Sequence, residues 1–404
     1  MPRIIACKIR NFCINSQFIC MEFGIFASAD GFVPRLYMPT LEKIIVNDFR
    51  NIEFQELEFS SKINCISGNN GEGKTNLLDA IYYLSMTKSA FSTTDRYNFR
   101  HGCNSFSIAG TYRMENSLVS RFSIQCSSDG AKKLRRDDKV CARVSEHIGK
   151  LPVVMVSPSD TSLVSESGEE RRKFVNSVLS QMSPEYLSSL QQYNRVLQQR
   201  NRLLKESFPD SDVMAVLDSR LSVFAKPVYE ARKAFAEKLQ PIVESYFSSL
   251  SGVECKVGVN YRSDISAGEL AEQLAASYDR DRMLKYTGCG VHRDDFIFEM
   301  DGYPIRRCGS QGQQKSFLVA LKFAQYDIMK ADYGFAPMLL LDDVFDKLDM
   351  SRISNLLRMV VEREFGQIFV TDSNKVRMAS MVNEITDERA YFETVGGCFT
   401  KTVI

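Results

Sequence analysis

The chain has 404 residues, of which 44% are hydrophobic and 25% are charged, and its formal net charge is +1. This composition is ordinary for a water-soluble globular protein, and the length suffices for two or perhaps three domains. The small net charge excludes a global basic excess, so any DNA-binding surface must be a local patch. No apolar run approaches the length of a membrane span.

Eleven cysteines are scattered along the chain without closely spaced pairs or histidine partners at zinc spacing. This pattern argues against a zinc site, and a disulfide scaffold is not expected in a chain of this size. We therefore expect a reducing, cytoplasmic environment. The three histidines lie far apart in sequence and are interpreted as structural.

Residues 1–40 differ from the rest of the chain because they show no steady periodicity. No apolar region with a cleavage site comes after the basic start, which excludes a signal peptide. Met38 stands just before the first well-patterned strand and is a candidate for the biological start. The alternative is a genuine extension that packs on the first domain, and the pattern leaves both open.

The first organised elements are two short strands at residues 41–46 and 54–59, with a polar turn at 47–51 between them. A third strand at 62–66 leads into a sequence of the form G-x-x-x-x-G-K-T, and a helix runs on from Lys74 to Leu84. This is the phosphate-binding P-loop, with Lys74 expected on the β- and γ-phosphates and Thr75 on Mg²⁺. Its eight residues are Gly68, Asn69, Asn70, Gly71, Glu72, Gly73, Lys74 and Thr75.

Alternating apolar and polar residues at 105–112 and 118–126 predict antiparallel strands with one solvated face. The basic run at 132–136 is interpreted as the solvated face of a hairpin, with DNA contact as the less favoured alternative. A buried strand at 151–156 is followed by a loop at 157–160.

Between about 169 and 247 the hydrophobic period becomes helical, which predicts a helical hairpin or small bundle with a turn at 208–210. Pro227 and Pro241 should kink or restart the second helix. An exposed basic face is available for DNA phosphates, although a brace between domains is the simpler use of these helices. That face comprises Arg195, Arg200, Arg202 and Lys205.

A strand at 254–260, a helix at 267–277 and a hairpin of 296–300 with 303–307 come next. Ser310 and Gly312 then stand at the start of a helix that reaches about residue 330, where a hydroxyl and backbone N–H groups suit a γ-phosphate. Gln311 and Gln313 belong to the same segment.

An apolar strand at 337–341 ends in Asp342 and Asp343, which is the pattern of a Walker B strand. Asp342 is the expected Mg²⁺ residue, directly or through water, and Asp343 is placed to orient or deprotonate the attacking water. The alternative, a buried strand that merely ends in acidic turn residues, is weakened because a P-loop requires such a partner.

The order of P-loop, Ser-x-Gly-Gln signature, Walker B strand and Leu348-Asp349 resembles an ABC-type ATPase head, and more finely the RecF family of DNA replication and repair proteins. The motifs of the finer match lie at residues 48–51, 157–158, 170–174, 199–201, 290–295 and 310–315. The resemblance spans roughly residues 41–395. It implies an α/β ABC-type P-loop ATPase head with a mixed sheet and an inserted α-helical arm, divided as 1–40 (extension), 41–165 (N-terminal lobe), 166–285 (arm) and 286–404 (C-terminal lobe).

The resemblance also implies a mechanism in which two protomers sandwich two ATP molecules with Mg²⁺. Arg50 and Asn51 would then belong to the nucleotide site, Ser310 and Gly312 would act in trans, and Asp349 would lie at the dimer seam. ATP binding would drive homodimerisation on duplex DNA and at single/double-strand junctions, and hydrolysis would release it. The family works at single-strand gaps with RecO and RecR mediators in loading the recombinase.

Three features depart from common ABC heads. No histidine follows the strand at 367–370, Asp343 stands where many heads carry glutamate, and Gln311 replaces a glycine of the signature. The shorter carboxylate at 343 predicts slow hydrolysis, suited to a switch. An ABC transporter energy subunit is less favoured because the helical insert is long and the histidine is missing. A structural chromosome ATPase is less favoured because the arm is too short. The loop at 157–160 is the candidate for a Mg²⁺-contacting segment.

Overall fold

Two six-stranded sheets and a group of packed helices form the part of the protein that the computed structural model describes, which comprises residues 38–114, 118–251, 255–344, 365–383 and 386–402. The predictions made for residues 1–37 and for Asp349 lie outside these ranges.

The first sheet is antiparallel, with strand order β2-β1-β4-β5-β6-β7. Every second residue of β4 is buried, as the alternating pattern predicted. In β6 only Leu134 is fully buried, which confirms a largely solvated hairpin. The strands are β1 Thr40–Phe49, β2 Ile52–Glu58, β4 Ser105–Arg113, β5 Val119–Ser127, β6 Lys132–Arg136 and β7 Lys139–Val140.

The predicted turn at 47–51 is too long. Strand β1 continues to Phe49, which is fully buried and pairs with Ile52, so that only Arg50 and Asn51 form the turn. Burial of the Phe49 ring against Tyr83 and Phe106 favours continued pairing over the local polar pattern.

The second sheet has the order β15-β14-β3-β13-β12-β8, and β3, β13, β12 and β8 run parallel to one another. These four strands are completely buried, because cores lie on both faces. Leu340 belongs to one core and its neighbours Leu339 and Leu341 to the other. The strands are β3 Ile63–Ser67, β8 Val153–Val156, β12 Met338–Leu341, β13 Ile368–Asp372, β14 Arg389–Val395 and β15 Cys398–Thr402.

Helix α1 (Lys74–Met86) packs between the two sheets, with Leu77, Ile81 and Leu84 in the core shared with the antiparallel sheet. The opposite face of the parallel sheet is covered by helices, chiefly α9 (Gln311–Tyr333). The helices between them in sequence are α2 Ser162–Ser165, α3 Gly168–Met182, α4 Pro184–Leu203, α5 Ser211–Ser251, α6 Leu270–Ala276, α7 Tyr278–Leu284 and α8 Ile305–Cys308, and α10 Lys375–Asn383 follows the last parallel strand.

Helix α5 is a single helix of 41 residues that contains both Pro227 and Pro241. Of the two predicted effects of these prolines, the restart of the helix is therefore wrong, and the kink stays a prediction. Both prolines lie on the exposed face, where water can bind the carbonyl groups that lose their intrahelical partners. No helix in the described ranges is long and apolar enough to cross a membrane.

The predicted exposure of Arg200 is also wrong. Its side chain is fully buried and donates to Asp218 on α5 and Asp281 on α7, at 2.5 and 2.7 Å. A third donor contact reaches Thr287 Oγ1 at 3.0 Å. Arg200 therefore joins three segments of the helical region and is not available to DNA, whereas Arg195, Arg202 and Lys205 are exposed as predicted.

The segment at 290–295 ties this helical region to a small third sheet with the order β11-β10-β9. Its buried Asp294 accepts from Arg232 of α5 at 2.6 Å and from Tyr261 at 2.5 Å. Asp295 pairs with Arg171 of α3 at 2.8 Å. The third-sheet strands are β9 Val257–Arg262, β10 Asp295–Met300 and β11 Tyr303–Pro304.

The hairpin predicted at 296–307 forms, but its second strand is only two residues long. Residues 305–308 turn into the short helix α8, in which Ile305 is buried and both arginines are exposed. Burial of this one apolar side chain on the core outweighs further strand pairing.

Candidate nucleotide-binding site

The candidate residues meet at one edge of the parallel sheet. Strand β3 ends at Ser67 before the P-loop, β12 ends at Leu341 before Asp342, and β13 ends at Thr371 and Asp372. These three strands are direct neighbours, and the carboxyl ends of parallel strands lie on the same edge. The sheet therefore brings together residues that are far apart in the sequence.

The P-loop has a backbone conformation that requires glycine at Gly73. Its φ angle is +110°, and an added Cβ atom would lie 2.7 Å from the Asn51 amide nitrogen. Helix α1 begins at the next residue, Lys74. The N–H groups of its first turn lack intrahelical acceptors and can bind an anion.

Lys74 is 6% exposed, and its ammonium group donates to two carbonyl oxygens of its own loop. The Nζ atom lies 2.6 Å from Gly68 O and 3.0 Å from Asn69 O. Among the described residues no carboxylate forms a salt bridge with it. The two carbonyl oxygens are neutral, so a phosphate can compete with them for the ammonium group.

Thr75 and Asp342 are in direct contact, since the Thr75 hydroxyl lies 3.0 and 2.9 Å from the two oxygens of the carboxylate. Asp342 is 3% exposed and has no salt bridge to any described residue. Burial and the neighbouring Asp343 raise the pKa of Asp342, while hydrogen bonds from Thr371 and Thr75 and the nearby positive charge of Lys74 oppose that rise. A hydroxyl and a buried carboxylate without a salt bridge are oxygen ligands that fit Mg²⁺.

Thr371 is a site residue that the motifs did not identify. Its buried hydroxyl donates to Asp342 Oδ1 at 2.8 Å and accepts from the Asp343 backbone N–H at 2.9 Å. Thr371 thus fixes both acidic residues of the Walker B segment. A hydroxyl residue at a strand end was visible in the sequence, but the neighbouring position of β12 and β13 was not.

Asp343 is the second residue after β12 and has a φ angle of +50°. A small cavity of about 60 Å³ is lined by Asp343, by Ser157, Pro158 and Asp160, and by Lys315 of α9. The loop at 157–160 therefore adjoins the second acidic residue. Its Asp160 pairs with Lys322 of α9 at 2.7 Å.

Where many ABC heads carry a histidine, this chain places Asp372, which is completely buried. Its carboxylate accepts hydrogen bonds from the Arg377 guanidinium, at 2.8 Å from Nη2 to each oxygen and at 3.0 Å from Nε. Asp372 thus forms a salt bridge, whereas Asp342 forms none with a described residue.

Arg50 and Asn51 form the β1–β2 turn beside the P-loop. The Asn51 amide donates to Glu72 O at 3.2 Å and accepts from Asn76 of α1 at 2.7 Å. Arg50 forms a salt bridge with the buried Asp79 at 2.6 Å and donates to Asn76 at 3.1 Å. Both residues hold the start of α1, and their contact with a nucleotide stays a prediction.

The signature segment lies at the start of α9. The Ser310 hydroxyl accepts from the Gln313 backbone N–H at 3.2 Å, and the Gln313 side chain accepts from the Ser310 N–H at 2.8 Å. Ser310 and Gln311 are exposed and Gly312 is half-buried. Within the described ranges no hydrogen bond joins residues 310–313 to the P-loop of the same chain.

Comparison with known proteins agrees with this geometry. The family model of the RecF/RecN/SMC N terminal domain matches residues 40–391. The DNA replication and repair protein RecF of Parabacteroides distasonis is 41% identical over 357 residues, which cover 88% of this chain and 98% of the relative. RecF of Bacteroides thetaiotaomicron is 39% identical over 358 residues, covering 88% and 97%.

Two solved structures extend the comparison. The recombination mediator protein RecF with ATP, in the RecFOR pathway, matches with a TM-score of 0.83 and 27% identity over 92% of this chain and 100% of that chain. The Smc head domain of Pyrococcus furiosus matches with a TM-score of 0.53 and 15% identity over 91% and 96%, a likeness in fold alone. The predicted ABC-type ATPase fold is confirmed, and the chain belongs to the RecF family, within the wider group of RecF, RecN and SMC proteins.

Proposed function

We propose that this protein is an ATP-dependent DNA-binding switch of replication and recombinational repair. The main support is the contact of Thr75 with Asp342, together with Lys74, whose ammonium group is held by carbonyl oxygens. These residues offer an oxygen-lined cation position next to a positively charged phosphate loop. The sequence relatives named for DNA replication and repair, and the RecF structure with ATP, support the same role.

Each residue has a defined task in this scheme. Lys74 leaves its two carbonyl acceptors and binds the β- and γ-phosphates, while the N–H groups at the start of α1 bind the neighbouring oxygens. Thr75 and Asp342, the latter directly or through water, would hold Mg²⁺, which would supply charge neutralisation on the phosphates. Asp343 orients or deprotonates the attacking water. Its side chain is shorter than the glutamate of many ABC heads, so we expect slow, DNA-stimulated hydrolysis.

ATP binding is proposed to close a homodimer. The exposure of Ser310 and Gln311 at the start of α9 supports a role in the site of a second protomer. Ser310 and Gly312 would then grip the γ-phosphate in trans, with Asp349 at the seam. The proposed nucleic-acid ligands are duplex DNA and single/double-strand junctions. The proposed protein partners are RecR- and RecO-type mediators, and the proposed place of action is the cytoplasm.

The proposal is tested by duplex-DNA anisotropy with and without ATP and Mg²⁺, with protomer mass read by light scattering on the same samples. Lys74→Met is compared with Lys62→Met, which changes an exposed lysine at the opposite end of β3. We expect ATP to dimerise the protein and tighten DNA binding in the native chain and in Lys62→Met, and neither effect in Lys74→Met. If ATP dimerises the protein but DNA binding stays weak and salt-sensitive, the proposed DNA role is rejected and the ATPase role is retained.

A further inference from the structure

The P-loop is held from outside by the tip of the C-terminal β14–β15 hairpin. The Glu72 carbonyl accepts from the Gly397 N–H at 2.8 Å and from the Thr394 hydroxyl at 3.1 Å. The Glu72 carboxylate accepts from the Gly396 N–H. The side chain of this P-loop residue is therefore bound to the hairpin.

The turn between β1 and β2 meets the hairpin at the same point. Asn51 donates to the Glu72 carbonyl at 3.2 Å, so this single oxygen accepts hydrogen bonds from both turns. A Cβ atom on Gly397, whose φ angle is +85°, would lie 2.3 Å from Asn51 O. One on Gly68 would lie 2.6 Å from Thr394 O. The β1–β2 turn and the β14–β15 turn are therefore closely packed against each other and against both ends of the P-loop.

A phosphate loop binds well only when its N–H groups already converge, because ordering a free loop on binding costs conformational entropy. Three P-loop glycines have positive φ angles, a backbone state that a flexible loop leaves readily. The contacts at Glu72 fix the loop backbone in this state. The Lys74 ammonium group donates to Gly68 and Asn69 of the same loop.

We propose that the β14–β15 hairpin is a positioning element of the nucleotide site, acting through Thr394, Gly396 and Gly397 on Glu72. This inference rests on the proposed binding of ATP by the P-loop. The loop backbone binds the α- and β-phosphates, which ATP and ADP share. Loss of the hairpin contacts should therefore weaken both nucleotides equally, unlike changes at residues that face the γ-phosphate.

The test measures binding of fluorescent ATP and ADP analogues to the full chain. Thr394→Val removes the hydroxyl, Thr394→Ser keeps it, and Thr400→Val makes the same change at an exposed position of the hairpin. We expect Thr394→Val to weaken both nucleotides about fivefold, the factor for about 1 kcal/mol per hydrogen bond. Thr394→Ser and Thr400→Val should bind like the native chain, and the melting temperatures without nucleotide should agree.

A second pair of variants tests the backbone contacts. Gly397→Ala forces a Cβ atom against Asn51, whereas Gly130→Ala has the same strain at φ +87° with nothing within 4 Å. We expect a larger loss of nucleotide affinity for Gly397→Ala than for Gly130→Ala. Native-like nucleotide affinity in both Thr394→Val and Gly397→Ala would overturn this inference but leave the proposed function standing. Failure of the native chain to bind either nucleotide would overturn the proposed function and this inference with it.

Discussion

The nucleotide site and the helical region each contain buried cations, and they treat them in opposite ways. In the helical region Arg200 and Arg232 are both almost fully buried and both form salt bridges with buried carboxylates. In the nucleotide site Lys74 is 6% exposed, and among the described residues its hydrogen-bond partners are carbonyl oxygens. The two arginines are thus in contact with carboxylates, whereas the contacts of Lys74 are with neutral groups.

This difference separates a structural cation from a binding one. A buried cation paired with carboxylates stabilises the packing only as a complete set, because removing one member leaves an uncompensated charge. A cation held by neutral carbonyls can exchange them for a phosphate at little cost. Burial alone therefore does not identify a functional residue, whereas the charge of its partners does.

The largest effect should come from breaking a compensated pair. Arg232→Met leaves Asp294 buried without its cation and should lower the free energy of unfolding by about 3–5 kcal/mol. Denaturant unfolding measures it, and Arg220→Met, at an exposed position of the same helix, is the control. The double variant Arg232→Met/Asp294→Asn should recover part of the loss. Equal stability of Arg232→Met and Arg220→Met would contradict the comparison.

Changing the cation of the nucleotide site should act on binding instead. Lys74→Met should weaken ATP binding by about 100-fold, because charge-assisted hydrogen bonds contribute about 1.5–3 kcal/mol each. Its free energy of unfolding should stay within about 1 kcal/mol of the native value, since no salt bridge to a described residue is broken. Calorimetric titration and denaturant unfolding of the same variant separate the two quantities. A loss of stability like that of Arg232→Met would remove the distinction.

The 290–295 segment beside the helical region contains a half-buried histidine. His292 lies 2.7 Å from the Tyr193 hydroxyl and 3.0 Å from Thr287 O, and burial lowers the pKa of His292 to about 4 from 6.5. The unfolded chain therefore binds more protons between pH 6.5 and pH 4, so stability is lost as the pH falls through this window.

Between pH 7.5 and pH 5 the contribution of His292 should fall by about 1–2 kcal/mol. Urea unfolding across this range should show a smaller loss in His292→Gln than in the native chain. His147, whose burial also lowers its pKa, gives the same background in both. His101→Gln, at an exposed position, should behave as the native chain. Identical pH profiles for His292→Gln and the native chain would show that this imidazole is not held neutral.

The smallest effect concerns Asp342, which forms no salt bridge with a described residue. Thr371→Val removes a hydrogen bond to Asp342 and one from the Asp343 N–H, and should weaken the Mg²⁺-dependent part of ATP binding about fivefold. Thr371→Ser should restore it. Nucleotide titrations with Mg²⁺ and with a chelator isolate this part. A loss of the same size without Mg²⁺ would make Thr371 a packing residue only.

The elements that the structure confirms are local ones. The strand and helix on either side of the P-loop, and the strand that ends before Asp342, are each predicted by a pattern in adjacent residues. The role of Thr371 and the contacts of Glu72 depend on which strands become neighbours, which no local pattern records. Arg200 looked exposed because its partners Asp218 and Asp281 are distant in sequence. The prolines of α5 looked disruptive because the pattern did not show that both face water.

The unbroken course of α5 has a mechanical consequence. Near its C-terminal end, Tyr246 and Phe247 pack on Phe323 and Phe317 of α9, the helix that begins at the signature segment. The axial distance from this contact back to Met214 is roughly 48 Å at about 1.5 Å per residue. One continuous helix therefore links α9 to the turn that precedes Ser211, and the salt bridge of Arg232 with Asp294 fixes the middle of that helix to the 290–295 segment.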